Sequence, residues 1–133
     1  MPINGVTIKE GASFTPVGGT DITFDDTGEE IANGIVCVNQ AETDFFAREK
    51  LVCVSRLPVQ DAKSGVFSKQ KISVRIIDPK TLADGSISYG VGRFEVEAHP
   101  EGGVTQITKI RKLLLAAANS SSLDALFSVG SIK

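Results

Sequence analysis

Residues 50 to 75 carry six basic side chains, Lys50, Arg56, Lys63, Lys69, Lys71 and Arg75, against one acid, Asp61. Ammonium and guanidinium groups at this density suit a partner with closely spaced negative charge, such as a phosphate backbone. The formal net charge of −2 argues against such a partner only as an average. Residues 1–49 hold two basic and nine acidic side chains, residues 50–133 twelve and seven, within totals of 14 and 16. Segregated charge describes a surface and its partners, not a fold, and a plain solvated face is its commoner meaning.

Other chemistry is thinly represented. The one histidine, His99, precedes Pro100 and reads as a turn residue. No Cys-x-x-Cys, His-Glu-x-x-His, phosphate-loop or nucleophile-elbow pattern occurs. Gly90-Val91-Gly92 begins like a dinucleotide fingerprint but lacks the third glycine and the following helix. Glycines inside a strand instead mark a bulge or the close approach of another backbone. Glu95 and Glu97 share a strand face without a third group to tune them for acid–base work. The acidic stretch 25–30 reads as a solvated loop without the ligand spacing of a calcium site. Cys37 and Cys53 lie in apolar runs and read as buried free thiols. The expectation is a chain without metal or cofactor, and not an enzyme.

The elements that position the basic residues come from the hydrophobic period. In residues 71–76 and again in 93–98 apolar side chains occupy the even positions and basic or polar ones the odd, the signature of strands with one wet face. Asp78-Pro79 and Asp84-Gly85 between them predict an antiparallel hairpin with a long loop, residues 79–88. Residues 35–38 and 51–54 are apolar on both parities and read as central strands. Residues 61–65 turn the chain into the long hairpin. Residues 5–10 and 21–25 read as an N-terminal hairpin. From Val104 onward the apolar period becomes helical and ends in an apolar run at 113–118; Ser121 and Asp124 have capping-box spacing for a second helix, 123–127. Strands first and helices last give an α+β fold, with helices on one face of an antiparallel sheet. One domain is expected over residues 1–133: an N-terminal hairpin and acidic loop in 1–30, the sheet in 31–99 and the helices in 104–128.

Length implies a partner. A strand of about 12 residues spans roughly 40 Å, whereas a helix of about 15 residues spans only about 22 Å. Two such helices leave part of the apolar sheet face uncovered, and a symmetric dimer that shares helices across one continuous sheet is the simplest cover. No run reaches the roughly 18 apolar residues of a membrane span, and residues 1–5 lack the features of a signal peptide, so a cytoplasmic, membrane-free protein is expected.

Taken together, LVCVSRL from Leu51, KISVRIIDP from Lys71, SYGVGRFEVEAH from Ser88 and VTQITKIRKLLLAAANSSSLDALFSVGSIK from Val104 resemble the coat proteins of the small single-stranded RNA bacteriophages, the leviviruses. The likeness lies in the order, spacing and polarity of the elements, since that family has no catalytic signature. It implies an interlocked dimer with a ten-stranded sheet, ninety dimers closing an icosahedral shell, and a virion assembled in the bacterial cytoplasm. It further implies single-stranded genomic RNA as a partner, an RNA hairpin whose binding represses replicase translation and marks the genome for packaging, and a single maturation protein.

On this resemblance Ile72, Val74, Ile76, Phe94 and Val96 lie beneath helices, while Lys50, Arg56, Lys71, Ser73, Arg75, Tyr89 and Arg93 face RNA. Tyr89 falls where the family stacks an aromatic on an unpaired base, with a sheet aromatic at a dimer interface as the alternative; Ser73 and Arg75 fall at its base pocket. The sequence also departs from the family. Val52 and Val54 stand where small hydroxyl side chains are usual, unless a bulge brings in Ser55, and Val91 replaces an asparagine that contacts RNA. The loop 79–88 has no cysteine for inter-subunit disulfides, so its contacts around the symmetry axes would be non-covalent. A dimeric RNA-binding regulator that does not assemble is the competing reading.

Overall fold

Alternation of β-branched and polar residues resolves, in the computed structural model, into five consecutive antiparallel strands. The structure describes residues 7, 8, 10, 11 and 17–130. The strands are β1 (Phe24–Ile31), β2 (Gly34–Asn39), β3 (Lys50–Arg56), β4 (Gln70–Thr81) and β5 (Ile87–Ala98), and they lie in the sheet in chain order. Two helices follow, α1 (Gly103–Ala118) and α2 (Asp124–Val129). The expected α+β class, five-stranded antiparallel sheet and C-terminal helix pair are all present. The chain divides into two units, Gly19–Glu101, which holds the sheet, and Met1–Gly18 with Gly102–Lys133, which holds the helices.

In the sheet unit, β3, β4 and β5 keep continuous register. Lys50 to Arg56 pair with Ile77 to Lys71, and Gln70 to Thr81 pair with Ala98 to Ile87. Side chains alternate across a strand, so one parity of each strand shares a face. Ile72, Val74 and Ile76 share theirs with Phe94 and Val96. Of these only Val96 is buried, and Ile76 is 47% exposed.

Three sequence expectations need correction. The acidic stretch 25–30 is strand, not loop. It forms β1 at the sheet edge, exposed along nearly its whole length, so no apolar period marks it. Its register shifts between Asp26 and Glu30, where Gly28 takes a positive φ of 74° and its N–H donates to Asp26 Oδ1 at 2.9 Å. The loop 79–88 is likewise half strand, and only residues 82–86 turn. Pro79 sits opposite Tyr89 inside β4, beyond Ile77, the last β4 residue that β3 pairs with, so its missing N–H deprives no third strand. Ser121 caps no helix: Ser120 caps the 3-10 turn Ser121–Leu123, its Oγ accepting from the Ser122 N–H at 3.3 Å, and α2 follows with no side-chain cap of its own. The N-terminal hairpin falls in part on residues outside those described, and Asp21, Ile22 and Thr23 carry no strand.

The connections follow side-chain chemistry. Between β3 and β4 the chain folds back through a Gln60–Phe67 bridge, and Asp61 Oδ1 accepts from Lys63 N–H at 2.7 Å in the expected turn. Between β4 and β5, Asp84 Oδ1 accepts from both the N–H and the hydroxyl of Ser86, at 2.9 and 2.6 Å. In the helical unit, Lys109 Nζ pairs with Glu10 Oε1 at 3.1 Å and Ser120 Oγ donates to Thr7 O at 3.4 Å, tying the N-terminal segment to the helices.

The buried set is small. Among the described residues only Val36, Cys37, Val38, Val52, Val96 and Ala98 are buried, and no large side chain is fully enclosed. Leu114 and Leu115, in the apolar half of α1 that the sequence requires to be enclosed, remain over a third exposed. A chain of 133 residues ordinarily encloses more than this.

Candidate nucleic-acid interface

Register places all seven expected RNA-facing residues on one face of the sheet. Lys50 and Arg56 come from β3, Lys71, Ser73 and Arg75 from β4, and Tyr89 and Arg93 from β5. The face is not uniform, however. Arg56, Lys71, Ser73, Arg75 and Arg93 line one hollow of about 510 Å3, floored by Val52 and Val54. Lys50 and Tyr89 line a separate hollow of about 460 Å3. Strand β3 has no bulge, so Ser55 lies on the opposite face and Val52 and Val54 stay on this one, Val52 buried beneath the polar side chains.

Two cations of the first hollow differ sharply in electrostatic state. Lys71 Nζ sits 2.6 Å from Glu95 Oε1 and 3.4 Å from Glu97 Oε1, its two carboxylate neighbours on β5. Its charge is already matched, which the sequence reading missed because the pairing depends on register between strands. Arg75 stands directly opposite Arg93, and among the described residues neither forms an ion pair. Like charges directly opposite in a sheet oppose each other. Among the described residues Arg75 Nε is buried without a hydrogen-bond partner, an arrangement that an incoming anion would satisfy.

The second hollow contains three residues the sequence reading left in a connection. Phe45, Phe46 and Arg48 stand beside Lys50, Pro79 and Tyr89. Phe45 is 74% exposed and Phe46 69%, and the Arg48 guanidinium carbon lies 4.4 Å from the centroid of the Phe45 ring. Adjacent aromatics in an otherwise polar loop were the available signal.

Residues without a role on this face behave as small structural groups. His99 Nδ1 accepts from the Glu101 N–H at 3.1 Å at the start of the helical segment. Cys37 and Cys53 are free thiols, the first buried and the second half-buried; burial pushes the Cys37 thiol up.

No protein-family model matches the sequence, and no curated protein matches it. Solved structures do. The virus-like particle of bacteriophage GQ-907 aligns with a TM-score of 0.88 at 28% identity, covering 97% of this chain and 98% of that one. The virus-like particles of bacteriophages AVE019 and ESE058 each align with a TM-score of 0.68, at 15% and 16% identity, over 98% and 99% of this chain and 99% of each of theirs; at that identity they speak to fold alone. The resemblance read from the sequence therefore holds: over nearly its whole length this chain is similar to proteins that form bacteriophage virus-like particles.

Proposed function

We propose that this protein is a capsid protein whose 133 residues act as one coat-protein domain, dimerising and closing an icosahedral shell around single-stranded RNA. The likeness to the GQ-907 particle supports the shell, and the small buried set supports the dimer. Strand β5 has β4 on one side and no strand on its other side among the described residues. Pairing two β5 edges would make the ten-stranded sheet, and a partner's helices would cover apolar positions such as Ile76. The role continues with a genomic RNA hairpin bound on the cationic face, repressing replicase translation and marking the genome for packaging in the bacterial cytoplasm, with one maturation protein joining the shell.

The observation that carries RNA binding is the unneutralised Arg75–Arg93 pair, with its orphaned Nε, over a hollow broad enough for a phosphate and its sugar. Expression in a bacterial host followed by electron microscopy and nucleic-acid extraction tests the reading. Closed particles that contain RNA are expected. Discrete dimers alone would favour the non-assembling regulator, and particles that form empty would remove RNA from the account.

A further inference from the structure

Strands β3 and β4 keep pairing beyond the end of the sheet. Arg56 stands opposite Lys71, and the bridge of Gln60 with Phe67 holds the same register further out. Neither neighbouring strand follows: β2 begins opposite Val54, and β5 ends opposite Gln70. Residues 57–69 therefore form a two-stranded arm, whose bridge lies roughly 14 Å past Arg56 at about 3.4 Å per residue.

A hairpin without flanking strands is marginally stable in water, and this one is held by its own polar groups. The Ser68 N–H donates to Val59 O, and the Val59 N–H to Ser68 Oγ, both at 2.9 Å. The Gly65 N–H donates to Asp61 O at 2.8 Å, while the Asp61 carboxylate accepts from Lys63 and Ser64 N–H groups. The arm's aliphatic side chains are left in water. Register puts Leu57, Val59 and Val66 on one face, 73%, 70% and 61% exposed. Lys63 and Lys69 are exposed too, and among the described residues neither forms an ion pair.

An apolar projection carrying two free cations fits an acidic protein surface, and the chain owns one. Asp25, Asp26, Glu29 and Glu30 are exposed along β1, an edge strand, and none is in an ion pair among the described residues. Ile22, half exposed just ahead of β1, adds an apolar counterpart. The register shift at Gly28 discourages a further strand from pairing there, so side chains are the means of contact. In a dimer joined through β5 the two β1 strands are the outer edges of the ten-stranded sheet. Six strand spacings then separate β4 of one chain from β1 of its partner, about 29 Å at roughly 4.8 Å each. That is too far sideways for an arm that runs along its own strands, so the contact falls between dimers.

We propose that the arm 57–69 is a contact between dimers of the shell: Leu57, Val59 and Val66 pack on the β1 edge of a second copy, and Lys63 and Lys69 pair with its carboxylates. The inference rests on the dimer and shell of the proposed function. A contact that joins different patches on two copies does not close on itself and so propagates from dimer to dimer. An RNA backbone would engage the two lysines but leave the three aliphatic side chains in water.

The test expresses four proteins in a bacterial host: wild type, Lys63→Glu/Lys69→Glu, Glu29→Lys/Glu30→Lys, and the combination of all four changes. Sedimentation separates dimers from shells. Each reversal alone should lower the yield of shells about tenfold or more in favour of dimers, and the combination, complementary again, should restore them. Lys63→Gln/Lys69→Gln and Glu29→Gln/Glu30→Gln, which only neutralise, should lower the yield less and serve where a reversal does not fold. Wild-type yields of shells in both single reversals, or no recovery in the combination, would overturn this inference and spare the capsid reading. Full shells with less RNA in the arm variant would give the lysines to RNA and overturn it equally. A wild type that forms no shells would overturn both.

Discussion

Arg75 on β4 and Arg93 on β5 face each other as a directly opposed cross-strand pair of like charge, and Arg75 Nε has no hydrogen-bond partner among the described residues. A sheet gains nothing from this arrangement in isolation. It becomes intelligible if an anion completes it, and the two states then pull stability and binding in opposite directions.

Replacing Arg75 or Arg93 with Ala should therefore leave the stability of the RNA-free protein unchanged or raise it by up to about 1 kcal/mol, the range of cross-strand pair effects. The same change should weaken RNA binding across sequences and lower the slope of log affinity against log salt by about one. Thermal unfolding and salt-dependent binding check the two halves. A destabilised protein with an unaltered salt slope would make the pair structural.

Lys71 should behave differently although it lies two residues from Ser73 on the same face. Its ammonium is divided between Glu95 and Glu97, so its release to a phosphate requires breaking those contacts. Lys71→Ala should reduce the salt slope less than Arg75→Ala does. Glu95→Gln with Glu97→Gln should strengthen RNA binding by freeing Lys71 and removing two negative charges. Salt titrations of these variants decide it, and a fall in affinity on neutralising the carboxylates would contradict the assignment.

Gly34 is needed for space. It lies opposite Val54 at the start of β2, and a Cβ there would collide with the Cys53 carbonyl, part of the backbone of β3. Neither strand can retreat without disturbing the pairing. Gly34→Ala should destabilise by about 1–3 kcal/mol, as overpacking does, measured by denaturant unfolding. A neutral result would mean the β2–β3 spacing is softer than the register suggests.

The β4–β5 turn carries a pH dependence of known sign. The Ser86 hydroxyl, and then its N–H, hold the Asp84 carboxyl below the usual carboxylate range. A lowered folded pKa stabilises the turn above the ordinary Asp value, and that contribution is lost as pH falls through the folded value. Ser86→Ala should move the Asp84 midpoint back upward in an NMR titration. An unmoved midpoint would assign the shift elsewhere.

Much of this was legible before folding, and the exceptions share a cause. Strands β4 and β5 and helix α1 announce themselves by period, β2 and β3 by runs apolar on both parities, and the parity of Lys71, Arg75 and Arg93 already places them on one face. Strand β1 does not, because an edge strand wet on both faces needs no alternation. Pro79 suggested a loop because proline disfavours sheet interiors, yet β4 outruns β3 and makes room for it. The capture of Lys71 by Glu95 and Glu97, and the meeting of Phe45 with Tyr89, depend on pairing between distant segments, which no local pattern encodes.

Gly92 separates the properties of one chain from those of an assembly. It interrupts the face of β5 that carries Phe94 and Val96, its φ lies outside the left-handed region, and a Cβ there would meet nothing within 4 Å of its own chain. Judged on one chain, Gly92→Val should stabilise, since a β-branched residue replaces the least favourable one in a strand interior. Within the proposed dimer the same strip lies beneath a partner, and the added side chain would hold that partner away. Sedimentation analysis of Gly92→Val should then show monomers or weakened dimers in place of wild-type dimers and shells. Intact shells with raised thermal stability would mean that no partner approaches β5 on this face, and the interlocked arrangement would have to be abandoned.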